Sequence, residues 1–285
     1  MLRQELFYDL TPNGLINQRI VTALYSFTEL LELTTQQKED FFRPLLLQAK
    51  KLLAVWIHYD RFRQEVERLK AEAPVYDQSK PGEHFALRYS QELWLEFDEF
   101  LVQYKSSLDY LAKLPGSLLG RQKWNPSTFG DKGKRILRLF RNVLPKSKKK
   151  LAEDFERDVF AKHRDDIEDI IDARDQFTHL LAGGISFEHF TVTAVKKDEQ
   201  IIYKVPMWNS EQTLIDFMNI AFHNHLKFCE DFIVFFLGLF MRPKFGFFHA
   251  PVPSDSTQSP WHLIPEALLP VYLAKYGGAQ PSKTD

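Results

Sequence analysis

The stretch Arg174-Asp175-Gln176-Phe177-Thr178-His179 combines residue types and a spacing that could do chemistry. Histidine takes or gives a proton near neutral pH. Arginine offers a fixed fork of donors matched to phosphate oxygens. Metal-free RNA cleavage needs a base for the ribose 2′-hydroxyl, charge stabilisation on the phosphate and an acid for the leaving oxygen. The surrounding residues read as helix. On a wheel of about 100° per residue, Ile167, Ile170, Ile171, Phe177 and Leu181 gather into one apolar stripe. Asp165, Glu168, Asp172, Asp175 and His179 form a second stripe. Arg174 falls near the centre of the apolar one, so it must snorkel, pair with a carboxylate or reach into a cleft between helices. Residues five apart on a helix diverge by about 140°, so one copy of the Arg174/His179 pair is poorly placed to grip a phosphate from both sides. Two copies across a two-fold axis are better placed. The same residues also suit a purely structural role, with Arg174 bridging to a neighbouring helix and His179 capping a helix end.

Arg174 to His179 matches the R-[N/D/H]-x(3–5)-H signature, and the chain here resembles the HEPN superfamily over roughly residues 85–241. The resemblance implies an all-α helical bundle. It further implies a metal-independent endoribonuclease that leaves a 2′,3′-cyclic phosphate, with no cofactor and no metal. The active site would be composite, built from Arg174 and His179 of both protomers of a homodimer, with Asp175 assisting. Asparagine is the commoner residue at the position of Asp175. A toxin or defence setting with a regulatory protein partner, in the cytoplasm, is implied by the resemblance alone.

A chain of 285 residues accommodates one or two domains. Apolar residues make up 44%, enough for a large core, and 25 Phe against 12 Gly favour packed helices over a turn-rich β architecture. Cys229 is the only cysteine, which rules out an intrachain disulfide and a cysteine zinc cluster. Met1 to Leu6 lacks the apolar core of a signal peptide. The apolar run Phe232 to Met241 is half the length of a membrane span, about 20 residues, so no membrane association is expected.

The order of elements gives three parts. Residues 1–80 read as an accessory helical segment, with one helix from Leu15 to about Leu33 and another from Thr34 or Thr35 to about Ala71, which Pro44 would split early. Residues 72–82 read as a linker. Residues 83–241 form the HEPN-like helical domain. It opens with a long helix to Leu114, includes the motif helix bending around His163, and ends on a Phe-rich helix capped by Asn209 or Ser210. A small β-hairpin at about 187–205 interrupts it. Residues 242–285 read as a Pro/Ser-rich tail with one short helical possibility, Glu266 to Tyr276.

Residues 121–150 carry eleven basic residues against the single acid Asp131, a charge of +10 that the remaining −11 offsets. Arg121, Lys123, Lys134, Arg135, Arg138, Arg141, Lys148, Lys149 and Lys150 suit a phosphate backbone, and Trp124, Phe129 and Phe140 between them could stack on bases. A solvated surface reads equally well from the same residues. His223 and His225 lie two apart on a helix and point to different faces, so a metal site there is not expected. There is no Walker loop, GxSxG elbow or dinucleotide fingerprint. The alternative to the nuclease is a non-catalytic helical module that binds a partner protein, a nucleotide or nucleic acid.

Overall fold

The computed structural model describes residues 8–73, 75–77, 90–144, 149–179, 190–197, 199–242 and 244–276, without the side chains of Thr178, His179, Leu273 and Tyr276. Short helical turns, Pro12–Gly14 and the π-type Asn17–Ala23, lead into α1 (Leu24–Phe27). Then come α2 (Thr35–Glu72), β1 (Val75–Asp77), α3 (Gln91–Lys113), α4 (Gly116–Leu119), α5 (Lys134–Val143) and α6 (Lys149–Phe155). A π turn, Glu156–Phe160, and a 3-10 turn, Ala161–His163, bend the chain into α7 (Arg164–His179). The order closes with β2 (Thr193–Lys197), β3 (Gln200–Lys204), α8 (Leu214–Gly238), β4 (Phe245–His249), β5 (Trp261–Pro265) and α9 (Leu269–Tyr276). Among the described residues the chain is mostly helical, with two small sheets.

The chain forms two compact units whose boundaries fall inside α2, α3, α7 and α8: residues 1–53, 106–168 and 223–285 make the first, residues 54–105 and 169–222 the second. In the first, the Phe-rich face of α8 finds its partners. Phe232, Phe235 and Phe236 pack edge-on or tilted against Phe155 from α6, and Phe140 from α5 meets Phe235 and Phe236. The second unit is organised around Phe97 of α3, which touches Phe62, Phe177, Phe190, Trp208 and Phe217.

Four expectations are corrected here. Pro44 does not split α2, which runs unbroken through it. Phe41, Leu45, Ala49 and Leu52 around it are fully buried, and that burial offsets the lost hydrogen bond. The stretch read as a linker contains β1, which pairs in parallel with β2 through Val75↔Ala194 and Asp77↔Lys196. The tail contains a second hairpin, β4 with β5, in the register Phe245↔Pro265 to His249↔Trp261. Finally, Asn209 accepts turn hydrogen bonds from the Glu211 and Gln212 N–H groups, while Thr213 caps α8: its Oγ1 accepts the Asp216 N–H at 3.0 Å. The expected hairpin is formed by β2 and β3, antiparallel from Thr193↔Lys204 to Lys197↔Gln200. The expected helix end at Gly183-Gly184 lies outside the described residues.

Gly133, at the start of α5, shows what positions the basic segment. Its φ is +86°, and a Cβ there would collide with the Phe160 ring and come within 2.9 Å of Phe129. Gly133→Ala is therefore expected to cost about 1–3 kcal/mol from overpacking, with about 1 kcal/mol more from the left-handed backbone. The urea midpoint checks this, and an unchanged midpoint would show that the Phe160 ring moves aside freely.

Candidate functional site

α7 buries Ile167, Ile170, Ile171 and Ala173 and turns Asp165 to solvent. Arg174 sits at the edge of the buried face. Its side chain is 35% exposed, and Nη1 donates to Asp175 Oδ1 at 2.8 Å. Its Nε is buried and makes no hydrogen bond among the described residues. Arg174 therefore snorkels: its side chain is largely covered but reaches solvent, and its paired carboxylate is half in solvent.

Facing it is a residue that the sequence did not single out. Burial pushes the Asp98 carboxyl on α3 above its ordinary range; Glu99 adds to this and Arg174 opposes it. The two helices meet through a second pair of rings, with Trp94 and Phe177 5.4 Å apart. Trp94 and Asp98 are one turn apart on α3, and Arg174 and Phe177 are one turn apart on α7, so ring faces ring and carboxyl faces guanidinium. The i, i+4 spacing of Trp94 and Asp98 beside the Phe97 face was the available signal. It names a half-buried acid but not the helix it faces.

His179 is the last residue of α7, and its side chain lies outside the described residues. The structure thus brings Arg174, Asp175 and Asp98 together in the second unit.

The basic residues belong to the first unit. Lys134, Arg135, Arg138 and Arg141 are exposed on α5, opposite buried Ile136, Leu137 and Phe140. Arg141 pairs with Glu156, so part of its charge is already matched. Arg121 and Lys123 are exposed in the turn after α4, Lys149 and Lys150 at the start of α6, and Lys148 lies outside the described residues. The expected stacking aromatics are corrected: Trp124, Phe129 and Phe140 are buried. Trp124 Nε1 donates to the Ala112 carbonyl at 2.7 Å, and its ring packs on Phe140 and Phe236. Apolar residues alternating with basic ones on a short helix fill the core before they reach a ligand.

A second polar cluster is buried on α8. Arg19 donates from Nε to Glu230 Oε1 at 2.8 Å, from Nη2 to Glu230 Oε2, and from Nη1 to the Ser254 carbonyl at 3.0 Å. Next along the helix, Asp231 accepts from Trp261 Nε1 at 2.9 Å and lies 2.9 Å from His163 Nε2. Gln48 donates to Ser107 and to the buried Cys229 thiol, whose pKa burial pushes up. His225 is held 2.8 Å from Ser107. Among the described residues no group of three or more His, Cys, Asp or Glu is placed to hold a metal ion. None of their helices is long and apolar enough to cross a membrane.

These buried groups set a pH dependence. Burial pushes the His225 imidazole down to about 3 from its ordinary 6.5, with His163 adding to the effect. The unfolded chain therefore takes a proton below 6.5 that the fold refuses, and stability is lost as pH falls from 6.5 towards 3. Burial pushes Glu230 up to about 7 from 4.5, which acts in the opposite sense between those values. The two cancel from 6.5 to 4.5, and below 4.5 only the histidine of the two still contributes. His225→Gln is expected to flatten the loss between pH 4.5 and 3.5 by about 1.4 kcal/mol per pH unit. Urea midpoints of both proteins across that range check this; parallel curves would rule His225 out as the source.

No protein-family model, curated protein or solved structure matches the chain.

Proposed function

We propose that the chain is a metal-independent endoribonuclease of HEPN type, acting on RNA in the cytoplasm as a homodimer with a composite site. The observation that supports this is Arg174: a guanidinium at the edge of a packed helix, partly exposed, with a buried Nε that finds no hydrogen-bond partner among the described residues. Most buried donors in a purely structural role are matched. In the proposed reaction Arg174 receives the phosphate oxygens through its fork. His179 accepts the ribose 2′-hydroxyl proton as the 2′-oxygen bonds to phosphorus. The bond from phosphorus to the 5′-oxygen breaks, and the second protomer's His179 protonates that leaving oxygen, giving a 2′,3′-cyclic phosphate. Asp175 tethers Arg174 from one side and Asp98 faces it from α3. The exposed cations of α5 supply long-range attraction for the phosphate backbone.

The test is cleavage of labelled single-stranded RNA in EDTA by wild type, Arg174→Ala and His179→Ala. Cleavage by wild type that is lost in both variants supports the reading. Equal cleavage by all three removes it. The alternative is a non-catalytic nucleic-acid-binding module, favoured by the exposed cations of α5 over buried aromatics. It predicts salt-sensitive RNA binding without cleavage, unaffected by Arg174→Ala.

A further inference from the structure

β3 reads Gln200-Ile201-Ile202-Tyr203-Lys204, and all five residues are exposed. Ile201 is 49% exposed, Ile202 46% and Tyr203 41%, so the apolar groups face solvent on both sides of the strand. Three consecutive solvent-facing apolar residues on a strand are rare in a chain that stays single, because edge strands invite pairing. β3 is at the end of the order β1-β2-β3, and among the described residues no strand lies beside its outer edge.

The hairpin register fixes which backbone groups that edge offers. The pair Lys197↔Gln200 closes a two-residue loop, with Glu199 at φ +67°. The closing pair of such a loop exchanges both of its backbone hydrogen bonds, and bonded pairs then alternate along the ladder. Gln200, Ile202 and Lys204 therefore spend their N–H and C=O groups on β2. Ile201 and Tyr203 turn theirs to the open edge.

We propose that β3 is the contact through which two copies of this chain associate, antiparallel and in register about Ile202. A two-fold axis perpendicular to the sheet preserves its faces, so it must pass through a residue paired with itself. With the axis at Ile202, Ile201 of each copy pairs with Tyr203 of the other, and the open backbone groups form four hydrogen bonds. On one face two Ile201/Tyr203 pairs meet. On the other, Ile202 meets its own copy in the close, non-hydrogen-bonded geometry, and Lys204 lies opposite the uncharged Gln200. No like charges face each other, which is the condition a self-pairing edge must satisfy. A second copy suits both faces of the strand at once. This contact stands independently of the ribonuclease reading.

The test uses the full chain in sedimentation velocity from about 1 μM to about 1 mM. Wild type is expected to self-associate. Ile202→Lys and Ile202→Glu each place like charges across the axis and should weaken association by at least about tenfold. Mixed in equal amounts, the two variants should associate again, because lysine then faces glutamate. Circular dichroism confirms unchanged folding of both. A wild type that stays single throughout, association indifferent to either variant, or a mixture no better than its components would each overturn the proposal.

Discussion

Glu230→Ala is expected to destabilise the protein by about 3–5 kcal/mol, the usual cost of breaking a buried ion pair by removing one partner. Glu230 is fully buried on α8 and Arg19 nearly so. Two of the three arginine donor contacts go to Glu230, and the third goes to the Ser254 carbonyl. Without the carboxylate, a guanidinium is left in the core that stays charged at any accessible pH. The converse variant should be milder. In Arg19→Met the orphaned carboxylate can take up a proton, and burial has already pushed Glu230 up to about 7. Arg19→Met should thus be milder at pH 6 than at pH 8, because stability falls as pH rises above 4.5, where the unfolded chain releases the proton that the fold holds. Replacing both, as Arg19→Met with Glu230→Leu, should recover most of the loss, since apolar pairs of similar volume often replace buried ion pairs without penalty. Urea denaturation of the three variants and wild type at pH 6 and pH 8 gives the full cycle. Additive losses, or equal losses in the two single variants at both pH values, would show that the pair is not coupled as the geometry requires.

Arg174→Ala is expected to reduce RNA cleavage by about 10²–10³-fold, the typical effect of removing one donor set from a developing negative charge. His179→Ala should lose about 10²–10⁴-fold, as the proposed proton carrier. Arg174→Lys separates charge from shape. Lysine keeps the positive charge but lacks the planar fork that holds two phosphate oxygens at once. It should recover little of the rate while preserving most of the RNA affinity. The measurement is single-turnover cleavage in EDTA, with the product end analysed for a 2′,3′-cyclic phosphate. A lysine variant as fast as wild type would mean that Arg174 contributes charge alone. Activity that vanishes in EDTA would remove the metal-free mechanism.

The sequence by itself determined the parts governed by near neighbours along the chain. The 3.6-residue apolar period of Ile167, Ile170 and Ile171 specified α7 and its buried face. The β-branched runs on either side of Lys197 specified the β2–β3 hairpin. The charge of residues 121–150 specified a solvent-facing basic surface, here the outer side of α5. Only the tertiary structure decided the rest. A wheel places Arg174 on an apolar stripe but cannot say that its Nη1 meets Asp175 or that Asp98 of α3 faces it. Arg19 and Glu230 are 211 positions apart, and no local pattern links them. Trp124, Phe129 and Phe140 look the same in sequence whether they stack on bases or fill a core; the partners offered by α8 and by neighbouring helices decide for the core. β1 and the β4–β5 hairpin exist because of partners that propensity does not register. Periodicity acts over a few residues, whereas burial of a charge or a ring depends on what the whole chain brings to it.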